Sequence, residues 1–170
     1  METIGRFRQT IKQKPYEFWE FCREIEKIKP ERIVEIGILR GGIISYFRGK
    51  VKQVVGIDIE NGKSDDVIIG DSHNIETMQK LLKRLTGDID VLFIDGDHSY
   101  KGVVRDFELY NPLVRKGGII GLHDILDSDY HRKLNMGVST FWNELKAKYQ
   151  YREIIDNNNL DWGGIGVLYV

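Results

Sequence analysis

Apolar residues along this chain fall into short groups separated by polar, glycine-marked turns, and their spacing changes from group to group. Between Pro15 and Lys29, Phe18, Phe21, Cys22, Ile25 and Ile28 recur every three or four positions, the stripe of an amphipathic helix. Pro15 suits the first helical turn and Pro30 ends the pattern. Beyond it, strand-like runs alternate with helical stripes. Strands are expected at Arg32–Ile36, Gln53–Ile57, Asp66–Ile69, Ile89–Ile94 and Gly118–Leu122. Helices are expected at Gly42–Gly49, at Ile75–Leu85 with Ile75, Met78, Leu81, Leu82 and Leu85 on one side, and at Gly102–Val114 with Val103, Phe107, Tyr110 and Val114. An uninterrupted run such as Val91-Leu92-Phe93-Ile94 belongs to a strand buried on both faces, which predicts a mostly parallel sheet covered by helices.

The end of the chain changes character. Val138–Tyr149 reads as a helix whose core face is Phe141, Trp142 and Leu145. Tyr151–Ile155 and Ile165–Val170 read as strands joined through the turn-rich Asp156-Asn157-Asn158-Asn159 without a helix, so they should pair antiparallel. One connection fits poorly. Only eight residues, Ile59 to Asp66, join the second and third strands, whereas a parallel crossover usually takes about a dozen. Either the loop is unusually short or the strand edges lie elsewhere. No repeat or linker marks a second domain: residues 1–31 read as an arm (1–14) and a helix packed on the core, and 32–170 as one α/β unit.

Composition narrows the function classes. At 170 residues, with 41% hydrophobic and 30% charged positions, the chain is a single globular domain rather than a disordered segment. A net charge of −1 sets up no field that would recruit nucleic acid or a membrane surface, and His131-Arg132-Lys133 reads as a solvated loop. Cys22 is the only cysteine, which excludes an internal disulfide and an all-cysteine zinc site; its apolar neighbours make it a small buried hydrophobe. No apolar run approaches the roughly 17 residues of a membrane helix, and no signal-like segment opens the chain, so a cytoplasmic location is expected.

The chemistry concentrates at strand ends. In an open parallel sheet, ligands bind outside the carboxyl ends of the strands where strand order reverses. Here those ends carry Glu35 and Gly37, then Asp58, then Gly70-Asp71-Ser72, then Asp95-Gly96-Asp97-His98, then His123-Asp124. All five are acidic. Val34–Gly42 passes from an apolar strand through glycines into the apolar start of a helix, an order suited to a cofactor meeting bare backbone. Asp58 can accept hydrogen bonds from both hydroxyls of a ribose, although a solvated strand cap is the plainer alternative. Gly37 and Gly41 are spaced Gly-x-x-x-Gly, unlike the dinucleotide pattern Gly-x-Gly-x-x-Gly, which weighs against a nicotinamide-dependent oxidoreductase.

These residues carry a family likeness. The chain resembles the class I S-adenosylmethionine-dependent methyltransferases, and within them the branch of sugar, macrolide and catechol O-methyltransferases and cephalosporin-hydroxylase-like proteins. The matching segments are Val34-Glu35-Ile36-Gly37 with Gly41-Gly42, Gly56-Ile57-Asp58, Gly70-Asp71-Ser72, Phe93 to Tyr100, Leu113 to Ile120, and His123-Asp124. The resemblance runs from about residue 32 to the C-terminus, and Asp95-Gly96-Asp97-His98-Ser99-Tyr100 is its most specific part. It implies a Rossmann-like, doubly wound, seven-stranded sheet in the order 3-2-1-4-5-7-6, with strand 7 antiparallel. It further implies O-methylation of a hydroxyl on a small molecule or sugar, with S-adenosylmethionine as cofactor.

Carried over by position, the resemblance gives Glu35 the cofactor's methionine amine and makes Gly37, Gly41 and Gly42 its backbone lining. Asp58, with Ile59 beside it, would take the ribose, and Asp71-Ser72 would face the adenine. In the metal-dependent members a divalent ion sits on residues matching Asp95, His123 and Asp124. Mg²⁺ prefers oxygen donors, whereas the imidazole at position 123 favours Mn²⁺, Fe²⁺ or Zn²⁺. The alternative keeps Asp95 for the cofactor's amine and His123 as a strand cap. His98 matches the presumed catalytic base beside Asp95, and a histidine titrating near pH 6.5 suits proton removal from a hydroxyl. Trp142 and Trp162 are core residues or walls of an acceptor pocket. A non-catalytic cofactor-binding domain and a metal-dependent hydrolase are the remaining readings, and a homodimer could complete the acceptor pocket. The segments expected to enclose the acceptor, 1–14 and 124–137, show no recognisable chemistry.

Overall fold

Successive residues of β1 (Arg32–Ile36) face opposite sides of a sheet, and both sides are buried. Val34 and Ile36 join one apolar cluster, while Ile33 joins the other. The computed structural model describes residues 13–39, 42–60 and 64–170. Within them β2 (Gln53–Asp58), β3 (Val67–Ile69), β4 (Ile89–Ile94), β5 (Val114–His123), β6 (Gln150–Ile154) and β7 (Ile165–Tyr169) complete a seven-stranded sheet. Its order is β3-β2-β1-β4-β5-β7-β6, and β7 runs antiparallel to both β5 and β6. This is the doubly wound topology that the family likeness implies.

Helices cover the two faces. On one side, α1 (Pro15–Lys27) and α2 (Gly42–Phe47) bury Phe18, Phe21, Cys22, Ile25, Ile43, Ile44 and Phe47 against Ile33, Val91 and Phe93. On the other, α3 (Ile75–Arg84), α4 (Tyr100–Tyr110) and α6 (Val138–Lys146) bring Leu81, Val103, Phe107, Tyr110, Phe141, Trp142 and Leu145 onto Val34, Val55, Leu92 and Ile120. Each such side chain, when fully buried, contributes roughly 1.5–3 kcal/mol, so both faces are held mainly by apolar burial. Trp142 belongs to this core: it lies over Gly166, where a Cβ would press into its ring, and its indole N–H donates to Glu153 at 2.7 Å. No helix of the described residues is long and apolar enough to cross a membrane.

Several edges differ from the sequence reading. The fourth helix starts at Tyr100, capped by Ser99, whose hydroxyl accepts from Gly102 N at 3.1 Å. It stops at Tyr110, because Pro112 lies in a 3-10 turn over Asn111–Leu113, and Val114 already belongs to β5. That strand is therefore twice the expected length, with a register shift opposite Ile89 and Val91 that absorbs Gly117-Gly118. Met78 and Leu81 of α3, and Leu85 just after it, pack inward, but Ile75 and Leu82 face solvent. The short connection from β2 to β3 is real: both strands pair parallel, Gly56 with Val67 and Asp58 with Ile69. A further short helix, α5 (Asp129–Lys133), occupies the segment after β5, its first turn capped by Ser128.

Candidate active site

Strand order reverses between β1 and β4, the central neighbours from which the chain winds outward in both directions. Their carboxyl ends open onto a cavity of about 1070 Å³. Gly37 forms its floor. Its N–H donates to Ile57 O at 2.9 Å, its φ is 78°, and a Cβ there would collide with the Asp95 carbonyl. Only glycine lets the β1 loop lie flat against the end of β4. Beside it, Asp58 Oδ2 accepts from the N–H groups of Ile38 (3.0 Å) and Leu39 (2.9 Å), and Oδ1 accepts from Glu60 N (2.9 Å). Asp58 thus fastens the β1 loop to the end of β2 while still lining the cavity.

The structure brings Gly37, Gly42, Asp58, Ile59, Asp71, Ser72, Asp95, His98, His123 and Asp124 to this one cavity. Gly41 lies outside the described residues. Glu35 is placed differently. By strand alternation it shares the face of Ile33 under α2, is 1% exposed, and spends its oxygens on Ile43 N (3.4 Å) and Ile44 N (3.0 Å). It is not among the cavity's lining residues. Burial, with the nearby charges of Asp95 and Asp58, pushes its carboxyl up to about 8 against the pull of those two amides.

Asp71 turns the loop after β3 by accepting from His73 N at 2.9 Å, and Tyr110 donates to Ser72 O at 2.8 Å. Behind that loop His73 Nε2 stands 3.4 Å from the fully buried Asp106, whose oxygens complete no hydrogen bond. Burial, reinforced by Asp97 and Asp71, raises the Asp106 carboxyl to about 6 despite the Ser72 hydroxyl and His73.

The cavity is also lined by a knot of carboxylates and imidazoles. Register places Phe93 beside Gly121 and Ile94 beside Leu122, which carries Asp95 to the side of His123. His98 bridges two carboxylates, with Nε2 3.1 Å from Asp95 Oδ1 and Nδ1 3.2 Å from Asp124 Oδ2. His123 Nδ1 is 3.0 Å from Asp95 Oδ1 and 3.5 Å from Asp124 Oδ2, yet neither of its nitrogens completes a hydrogen bond. Burial opposes charge on both imidazoles, but Asp95 and Asp124 outweigh it, raising His98 and placing His123 well above its ordinary value. Burial likewise opposes charge on the carboxylates, and the imidazoles hold Asp95 and Asp124 below the usual range. Asp124 leaves β5 at φ 61°, a left-handed conformation that non-glycine residues hold at some strain.

Potential ligand atoms of Asp95, His98 and His123 lie within 4.8 Å of one another, with Asp124 alongside. The metal reading named Asp95, His123 and Asp124; the geometry adds His98. Two imidazoles with carboxylates suit a first-row transition ion better than Mg²⁺.

Four residues enter that the sequence did not single out for this site. Gln13 donates from Nε2 to Asp95 Oδ2 at 2.6 Å. His131, read as part of a solvated basic loop, is 2% exposed and sits 3.3 Å from Asp124 Oδ1, with its Nδ1 3.0 Å from Ser128 Oγ. Tyr130 and Met136 join Trp162 in lining the cavity beside the knot. Only the Ser-x-x-His spacing of Ser128 and His131 hinted at α5, because a capped helix of five residues has too short a stripe to read.

Fold and site together describe a class I S-adenosylmethionine-dependent methyltransferase fold with its strand-end cavity intact. A family model described as Methyltransferase domain matches residues 34–125, more than half of the chain, and the chain belongs to that family. Among curated proteins it is similar to the uncharacterized protein R132 of Acanthamoeba polyphaga mimivirus, 32% identical over 133 residues, covering 67% of this chain and 60% of that one. The chain thus spans less than two thirds of that relative. Solved structures share the fold at low identity. The O-methyltransferase from Bacillus cereus, in complex with SAH, is 15% identical with a TM-score of 0.66, covering 99% of this chain and 88% of that one. TomG from Streptomyces achromogenes, an O-methyltransferase involved in tomaymycin synthesis and solved with SAM, gives 15% and 0.64 over 95% and 82%. MycE from the mycinamycin biosynthetic pathway, solved with Mg and SAH, gives 18% and 0.62 over 88% of this chain and 48% of that one.

Proposed function

We propose that this protein transfers a methyl group from S-adenosylmethionine to a hydroxyl of a small molecule, assisted by a divalent metal ion. One observation supports the reading above all. A single cavity is lined both by Gly37 and Asp58 and by the Asp95–His98–His123–Asp124 knot beside them.

The residues divide the work. Gly37 lets the β1 loop lie against the end of β4 and Gly42 leaves room for the Gln13 amide, both lining the cavity with bare backbone, and Asp58 would face the cofactor's ribose while holding the loop from Ile38 to Leu39. Asp71 and Ser72 border the adenine end. Glu35 acts from beneath by ordering the start of α2. When bound, the cofactor supplies an activated methyl group on a sulfonium, and a divalent ion supplies a positive charge beside the acceptor oxygen. Asp95, His123 and Asp124 would hold that ion, leaving His98 beside it. The two unbonded nitrogens of His123 fit such a role. Trp162, Met136 and Tyr130 give the acceptor an apolar wall, which excludes water and aligns its hydroxyl for in-line attack. His98 stands between Asp95 and Asp124, and it would take the hydroxyl proton at the ring nitrogen that one of these carboxylates gives up to the ion.

The test is transfer of a radiolabelled methyl group from S-adenosylmethionine to a panel of phenols, catechols and glycosides, with Mn²⁺ present. Labelled product that disappears in Asp95→Asn and His98→Ala supports the reading. Cofactor binding without transfer to any acceptor would leave a cofactor-binding domain instead.

A further inference from the structure

The residue expected to hold the cofactor's amine, Glu35, has both oxygens occupied by α2 amides and does not line the cavity. A different polar group lines the cavity beside Asp95. Gln13, 7% exposed, lines the cavity just ahead of α1. Its Nε2 donates to Asp95 Oδ2 at 2.6 Å, and its Oε1 is buried with no hydrogen-bond partner among the described residues.

The orientation of this amide follows from its neighbour. Turning it over would set Oε1 against the Asp95 carboxylate, two acceptors without a proton between them, so the donor faces Asp95 and the acceptor faces away. The space around it is also fitted. A Cβ on Gly42 would sit 3.0 Å from Oε1, closer than side chains ordinarily approach, so glycine at the start of α2 leaves room for the amide. The next residue fixes the backbone. Lys14 O accepts from Phe18 N at 2.9 Å to begin α1, and the Lys14 ammonium is 3.6 Å from the buried Glu17 and over the Trp162 ring. Gln13 is therefore held in place before any ligand arrives.

A buried acceptor without a donor is uncommon unless something else completes it. Here it lies next to a carboxylate at the end of β4, and a pair of acceptors around one space suits a group rich in protons, above all an ammonium. A carboxylate would be repelled by Asp95. From this arrangement we infer that Gln13 Oε1, together with Asp95, binds the amino group of the cofactor's methionine tail and selects ligands that carry it. The inference rests on the cofactor reading above and adds to it the residue that recognises the tail.

The experiment is a calorimetric titration of wild type and Gln13→Met with two probes: S-adenosylhomocysteine and its desamino analogue, in which hydrogen replaces the amine. The wild type should prefer S-adenosylhomocysteine. Gln13→Met, similar in volume but without the acceptor, should lose about tenfold for that probe, the scale of one hydrogen bond to a charged group, while binding the desamino analogue as the wild type does. Equal losses for both probes would show a structural role only and overturn the inference, as would no loss for either. If Gln13→Met does not fold, Gln13→Asn withdraws the amide by one methylene and carries the same comparison. A wild type that binds neither probe overturns the cofactor reading itself, an outcome distinct from failure of the Gln13 assignment.

Discussion

His123 Nδ1 stands 3.0 Å from Asp95 Oδ1, and neither ring nitrogen of His123 completes a hydrogen bond among the described residues. A buried imidazole in that condition is held by charge alone, and a cation between the two groups would satisfy both. Mn²⁺ or Co²⁺ at saturating concentration should therefore raise the unfolding temperature by roughly 5–10 °C, the shift expected when an ion at about a hundred times its dissociation constant binds only the folded domain. Mg²⁺ should do less. Thermal scans of the wild type and His123→Ala with each ion, reversed by chelator, are the check; equal shifts in the variant would remove the metal from the account.

Gly37 and Asp95 touch through their backbones at the cavity floor. Gly37→Ala adds a Cβ that meets the Asp95 carbonyl at φ 78°. The strain and overpacking together should lower stability by about 2–4 kcal/mol, read from urea unfolding. A variant as stable as the wild type would mean the loop can lift away and is not the rigid cradle described.

Asp106 offers a pH-dependent test away from the metal knot. Its carboxyl sits near 6 in the fold, against about 3.9 in an unfolded chain, so the folded form binds the extra proton between those values. Stability should then fall as pH rises from about 4 to about 6 and stay lower above that. Asp106→Asn should flatten this slope. At pH 7.5 it should stabilise the domain by about 2 kcal/mol, the lost interaction with His73 keeping the gain below the full shift. Urea midpoints measured from pH 4 to 8 decide the matter, and an unchanged slope in the variant contradicts it.

The sheet was legible because its signals are local and repeated. Runs such as Val91 to Ile94 announce strands buried on two faces, and Phe18 to Ile28 announce a helix. The carboxyl-end residues were legible for a different reason: topology alone sends Asp58, Asp95 and His123 to one edge. What stayed hidden depended on side-chain direction or on contacts distant in sequence. Glu35 sits at the end of β1 like the others, but the two-residue alternation turns it under α2. Gln13 meets Asp95 across 82 positions, and nothing in a lone glutamine before a helix records that. His131 looked like a solvated base because Arg132 and Lys133 follow it; in α5 it turns inward while they face out. The length of β5 was missed because Gly117-Gly118 reads as a turn, whereas here a register shift carries the strand through it.

Asp58 joins the loop after β1 to the end of β2 and faces the space assigned to a ribose. Asp58→Ala should weaken S-adenosylhomocysteine binding by at least about tenfold, since it removes an ionic acceptor and loosens Ile38 and Leu39 together.

The central claim is that the strand-end cavity takes an adenosyl sulfonium or its demethylated product. Isothermal titration of the wild-type protein with S-adenosylhomocysteine measures this most directly. The account predicts a one-to-one complex of micromolar or tighter affinity, lost or strongly weakened in Asp58→Ala. A flat titration of a folded wild-type protein, or a complex that Asp58→Ala leaves unchanged, would contradict it.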